Sequence, residues 1–269
     1  MKYFAIVAIT AVIGMAASVA QADTTLLAWE TTNDQLYSVD TSVPDGTLIG
    51  GDNPSVIIAE IEFGGGVVYG SDTSDNTQLH LIDPDTGDIY ETLTMTFPPE
   101  GNVITSMEFV DDVLYVGLTT EGGGTTYLST VDLGSGLVSV VGSTGFDSPF
   151  GGLAYDGATM YGVSAGGAEG ELFTVDLGSG FATSVGMVSV AGANVGLTAL
   201  EFGDDGVLYA LPNRSEGLAG HLLSIDPATA AGTDLGDTGY DGFVALTSPA
   251  DEPTSVESST WGRMKSQFK

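Results

Sequence analysis

Residues 196–236 read GLTALEFGDDGVLYALPNRSEGLAGHLLSIDPATAAGTDLG. Four short apolar runs sit in this stretch: GLTALEF, GVLYALP, HLLSID and GTDLG. Gly, Asp, Asn and Ser separate them, and none reaches the roughly ten residues that a helix needs. The stretch therefore predicts four short strands joined by tight turns.

The same order of runs recurs along the chain. A segment ending in Val/Ile-Asp closes at Asp40, Asp83, Asp132, Asp176 and Asp226, at intervals of 43, 49, 44 and 50. An aromatic anchor recurs at Tyr69, Tyr115, Tyr161 and Tyr209, at intervals of 46, 46 and 48. IEF (61–63), MEF (107–109), LAY (153–155) and LEF (200–202) precede it. Three anchors in fixed order at a period near 46 predict a β-propeller. The Asp-Pro-x-Thr-Gly element at Asp83–Gly87 reads as a tight turn, with proline fixing φ and glycine tolerating positive φ.

Closure is written into the two ends of the repeat region. Thr24–Trp29 begins at a second strand, with no first strand before it. Gly242–Leu246 matches Gly196–Leu200, a first strand with nothing after it. The two fragments complete one blade, so a C-terminal strand pairing with the N-terminal one closes the ring and removes the exposed edges. The expected fold is all-β: a five-bladed β-propeller spanning 23–248, with six blades as the alternative.

Outside the repeats, Met1–Ala22 has one lysine, an apolar run and an Ala20-Gln21-Ala22 cleavage site, the pattern of a secretory signal peptide. No other stretch approaches a membrane span. Residues 249–269 read as a Pro/Ser/acidic linker followed by a basic amphipathic tail. Trp261, Met264 and Phe268 fall on one helical face, with Arg263 and Lys265 supplying charge. That tail is a candidate sorting or docking tag, with the export machinery as its partner. The expected location is secreted, periplasmic or at the cell surface.

Composition excludes more than it assigns. The 269 residues hold no cysteine, so there are no disulfides, thiolate metal sites or cysteine nucleophiles. Two histidines leave little room for histidine metal clusters. Lys+Arg number 5 against 36 Asp+Glu, a net charge of −31, which disfavours nucleic acid as a partner. Within 23–248 Arg214 is the only base. Such self-repulsion costs stability unless salt screens it. A solvated surface adapted to saline surroundings, spread-out divalent-cation binding and an acidic face for a basic partner are the competing readings.

With these anchors, the chain resembles the secreted bacterial β-propeller repeat proteins of the NHL-, YVTN- and PQQ-like group. The resemblance covers nearly all of 23–248 and implies the fold rather than an activity. The PQQ branch carries a docking tryptophan in its repeat. Here Trp29 is the only tryptophan within the repeats, so the resemblance does not extend to that cofactor.

Three sets of residues are candidates for chemistry. Glu62, Glu108 and Glu201 occupy one repeat position at the end of the first strand, where blade four has Ala154 and the closing blade Thr247. They read either as part of an acidic ring in the central channel, able to hold Ca²⁺ through oxygen ligands, or as strand-end carboxylates capping N–H groups. The second is the more ordinary reading. The loops before each first strand and those joining second to third strands share a face. It carries Asn102, Asp147, Asp241, Asn213 and Arg214, the default place for a ligand. Gly162–Gly166 matches a Gly-x-Ser-x-Gly nucleophile elbow but lacks the helix that such an elbow requires. No catalytic constellation can be read out. The sequence thus points to a non-enzymatic binding or surface-interaction module for a protein or glycan. A Ca²⁺-dependent hydrolase or lyase acting on a lactone or glycan is one rival, and a salt-adapted structural component the other.

Overall fold

The computed structural model describes residues 24–51, 53, 56–165, 170–214 and 217–249. The leader at 1–22 and the tail residues Trp261, Arg263, Met264, Lys265 and Phe268 lie outside the described residues. Every regular element described is a strand, and none of the described residues forms a helix able to cross a membrane.

The strands form five antiparallel sheets arranged as a five-bladed β-propeller. Blade one runs, from the axis outward, Phe243–Thr247, Thr25–Glu30, Gln35–Asp40 and Gly46–Gly50. Blade two is Ile58–Gly64, Val67–Asp72, Gln78–Ile82 and Ile89–Thr94. Blade three is Val103–Val110, Val113–Thr119, Tyr127–Asp132 and Leu137–Ser143. Blade four is Phe150–Tyr155, Met160–Ser164, Glu171–Val175 and Ala182–Met187. Blade five is Leu197–Phe202, Leu208–Pro212, His221–Asp226 and Ala231–Asp237.

The ring closes as the repeat pattern predicts. The strand Phe243–Thr247 pairs antiparallel with Thr25–Glu30, setting Leu246 opposite Ala28 and Thr247 opposite Leu27. Blade five departs from the four-strand plan. A small hairpin, Ser189–Val190 and Ala193–Asn194, adds to its outer edge through a parallel pairing with Ala231–Asp237. Ala191 and Gly192, at φ 51° and 83°, make its turn. This hairpin lies within the longest Val/Ile-Asp interval, 176 to 226.

Among the described residues there is no single central core: their buried apolar side chains form five clusters, each straddling two neighbouring blades. One joins Trp29 and Leu36 of blade one to Ile58, Ile61 and Val68 of blade two. Another joins Val110 and Leu128 of blade three to Phe150, Leu153 and Phe173 of blade four. Both faces of each sheet pack on neighbours, which is why the strands read as apolar runs rather than strict alternation. Burying one such side chain stabilises by about 1.5–3 kcal/mol, so each seam contributes through several residues at once.

The Asp-led turns finish the seams. Gly87, Gly136 and Gly180 take φ of 71°, 72° and 76°, and Ala230 holds the same left-handed conformation at 58° without the freedom of glycine. The aspartates cap these turns: Asp132 Oδ1 accepts the N–H groups of Gly134 and Ser135 at 2.9 and 3.0 Å. The turn glycine carbonyl can then reach the preceding blade, as where Gly136 O accepts Thr96 N–H at 2.8 Å.

Candidate functional site

In every blade the pairing of first and second strands carries one β-bulge. The register slips between Ile58 and Glu60, Ile104 and Ser106, Phe150 and Gly152, and Leu197 and Ala199. The closing pair does the same on its partner side, where Trp29 faces Ala245 but Glu30 faces Phe243. Each bulge leaves one residue without an opposite number: Ala59, Thr105, Gly151, Thr198 and Val244. A bulge bends its strand and re-aims a side chain. All five of these residues line one cavity of about 430 Å³ at the mouth of the central channel.

Ile58, Ile104 and Phe150 give that cavity apolar walls, and Thr31, Thr73, Asn213 and Arg214 bring polar atoms to it. Among the described residues that line it, Glu60 brings the only carboxyl. Glu60 is 3% exposed, and no hydrogen bond to its carboxyl is found among the described residues. Burial, and then the neighbouring Glu62 charge, push its carboxyl well above the ordinary carboxylate range. Arg214 is exposed at the rim, where it donates to Gly242 O at 2.6 Å and to Thr31 Oγ1. The wall beside Ile57 is tied by Asp72, which accepts Ile57 N–H at 3.2 Å and Ser74 N–H at 2.6 Å and meets His80 Nε2 at 3.2 Å.

Two residues beyond Glu60, roughly 7 Å along the strand, the carboxylates of Glu62, Glu108 and Glu201 come together. One oxygen from each lies within 4.8 Å of the others, and the residues are only 1–2% exposed. At 4.8 Å two full negative charges repel by about 3.5 kcal/mol at an effective dielectric near 20. The ring supplies some compensation: Glu62 Oε1 accepts Phe109 N–H of the next blade at 3.1 Å, and its Oε2 accepts from Thr247 Oγ1 at 3.3 Å. Thr247 fills the same role one blade back, with its Oγ1 accepting Phe63 N–H at 2.8 Å. The two sequence readings of these glutamates are thus both visible in Glu62, which caps an N–H of the next blade and belongs to a convergent carboxylate set.

The loop-face candidates separate. Asn213 and Arg214 line the mouth; Asn102, Asp147 and Asp241 do not. Exposed Asn102 accepts Glu121 N–H at 3.3 Å, and exposed Asp147 accepts from Thr125 Oγ1 at 2.7 Å, so each ties its own loop to another. The Asp241 carboxylate lies against Gly220. Ser164, in the elbow-like motif, accepts Glu171 N–H at 3.0 Å and joins a strand. Sequence reasoning missed Glu60 because its repeat counterparts are Ser106, Gly152, Ala199 and Ala245. Its signal was local: two glutamates, Glu60 and Glu62, two residues apart and so on one face of a strand.

No protein family matches the chain, and no curated sequence matches it. Similar solved structures do exist. A chain of a nidogen/laminin complex aligns with a TM-score of 0.51 at 11% identity, over 85% of this chain and 99% of that one. A glutaminyl cyclase from Myxococcus xanthus aligns with a TM-score of 0.45 at 19% identity, over 80% and 76%. A protein of unknown function from Bacteroides caccae aligns with a TM-score of 0.44 at 11% identity, over 76% and 69%. At such identities the likeness concerns the fold alone. The chain is a five-bladed β-propeller, a fold that can serve binding.

Proposed function

We propose that this protein is a secreted, non-enzymatic binding module that takes its ligand at the channel mouth. The observation that carries this reading is the ring of bulges: all five blades turn one residue into a single cavity of about 430 Å³. That volume suits a small molecule, a terminal sugar or one protruding side chain of a partner. Apolar walls and four threonines, Thr31, Thr73, Thr105 and Thr198, favour a ligand with an apolar face edged by hydroxyl or amide groups. Arg214 at the rim favours an anionic substituent. The large negative charge disfavours nucleic acid. Export and a docking role for the basic tail belong to the same reading and rest on sequence alone.

Hydrolase or lyase chemistry has less support. It needs two or three convergent titratable groups, and among the described residues the cavity lining offers Glu60 as its only carboxyl, with no imidazole. The test is a glycan and peptide array probed with the mature chain and with Thr105→Trp, which fills the mouth. Hits lost in Thr105→Trp, and reduced about tenfold in Arg214→Ala for acidic ligands, are the expected result. Hits that both variants keep would move the binding site elsewhere.

A further inference from the structure

We infer that the channel axis holds one divalent cation, Ca²⁺ by preference, ligated by Glu62, Glu108 and Glu201. The inference stands apart from the mouth-ligand reading, since the ion's ligands are the inner carboxylates and not the residues of the mouth. Three oxygens from three different blades lie within 4.8 Å of one another, in residues that water barely reaches. The only arginine or lysine among the described residues is Arg214, which sits at the exposed rim rather than beside them. A second observation points the same way. The Glu60 side chain is nine-tenths buried, its carboxyl has no hydrogen-bond partner among the described residues, and it lines the cavity just above this set. Burying a fourth carboxyl so near three others makes chemical sense where positive charge enters the channel.

The donor set selects the ion. All donors are hard carboxylate oxygens, with no imidazole or thiolate in the cluster. Oxygens across a Ca²⁺ ion stand about 4.6–5.2 Å apart, whereas across Mg²⁺ they stand about 4.1 Å apart. A set bounded at 4.8 Å accommodates Ca²⁺ without drawing the blades together. Three carboxylates, each able to bind through two oxygens, also approach the six to eight ligands that Ca²⁺ takes, while Mg²⁺ dehydrates reluctantly. Thr247, hydrogen-bonded to Glu62 Oε2 and Phe63 N–H, orients one ligand from the closing strand.

The experiment is thermal melting of the mature chain, stripped with EDTA and dialysed, in CaCl₂, in MgCl₂, and in NaCl at matched ionic strength, with native mass spectrometry of the Ca²⁺ sample. The wild type should bind one Ca²⁺ per chain, and its Tm should rise by about 5–10 °C at a hundredfold excess over Kd. Mg²⁺ should do less, and NaCl should give only the broad screening response. Glu108→Gln should fold at least as stably as the stripped wild type, because it removes one of three repelling charges, yet lose the Ca²⁺-specific rise. Glu121→Gln, an exposed loop control, should keep it. A wild-type response to ionic strength alone, or a Ca²⁺-specific rise surviving in Glu108→Gln, would overturn the site. Should Glu108→Gln fail to fold, a stoichiometry of zero in the wild-type mass spectrum decides against it, and of one for it.

Discussion

Two rings of residues surround the same channel, and they are made in opposite ways. The deeper one, Glu62, Glu108, Ala154, Glu201 and Thr247, keeps strict repeat register and, at every position but Ala154, a side-chain oxygen. The mouth ring of Ala59, Thr105, Gly151, Thr198 and Val244 shares no chemistry and exists because each inner strand carries an extra residue. The difference teaches how a repeat protein divides its labour. Register fixes the positions whose convergence depends on all blades agreeing, and irregularity frees the positions that face a ligand.

The harshest way to break the comparison is to remove what both rings share. Phe243 is 3% exposed and packs against Tyr37 and Tyr240 with ring centroids 5.3 Å away in each case. Phe243→Ala should cost about 3–5 kcal/mol. The strand it anchors carries Val244 to the mouth and Thr247 to the inner set, so mouth binding and the Ca²⁺ response should fail together in denaturant titrations and melts.

A milder change separates the rings. Asp72 holds Ile57 and is itself buried, with its carboxyl set by opposing influences. Burial pushes it up, but hydrogen bonds from Ser74, His80 and Ile57 outweigh this and hold it below its ordinary 3.8. A carboxyl depressed by folding contributes stability above its unfolded pKa and loses it as pH falls through the folded value. Asp72→Asn should therefore cost about 1.5–3 kcal/mol at pH 7 and flatten the acid limb of the stability curve below about pH 4. His80, Asp34 and Asp75 are the titratable neighbours to control for. Mouth binding should weaken while the Ca²⁺ response persists.

The smallest of these effects tests how the rings connect. Gly152 stands at the blade-four counterpart of Glu60, and a Cβ there would come within 2.4 Å of Leu200 N. Gly152→Ala should cost about 1–3 kcal/mol. Because Leu200 precedes Glu201, the Ca²⁺-dependent rise in Tm should shrink. An undiminished rise would show that the inner set is insulated from such shifts.

These contrasts also explain what could be read in advance. The Val/Ile-Asp and Tyr anchors made the blades legible, because seam packing and turn capping demand the same residue at every turn of the ring. The match of Gly242–Leu246 to Gly196–Leu200 disclosed closure. Equal repeat position was enough to single out Glu62, Glu108 and Glu201, since five-fold geometry carries equivalent positions toward one axis. Of the mouth, Asn213 and Arg214 were legible as loop residues, but its ring of bulges was not. A bulge adds one residue without altering hydrophobic character, and nothing in Ala59 or Val244 marks either as unpaired. Asn102, Asp147 and Asp241 were chosen for polarity in loops, and at Asn102 and Asp147 that polarity ties one loop to another. The blade-five hairpin left only a lengthened interval as its trace.

The pairing of Leu27 with Thr247 sets a schedule for assembly. The strand at 25–30 acquires its axial neighbour only after everything up to 247 has been synthesised. Four blades can gather early from contacts between near neighbours, while the first blade waits half-built. Loop entropy grows only logarithmically, by about 0.6 kcal/mol per doubling of length, so this long wait is a matter of timing more than of stability. A nascent chain stalled before Phe243 would leave an open strand edge available to chaperones, proteases or another copy of itself.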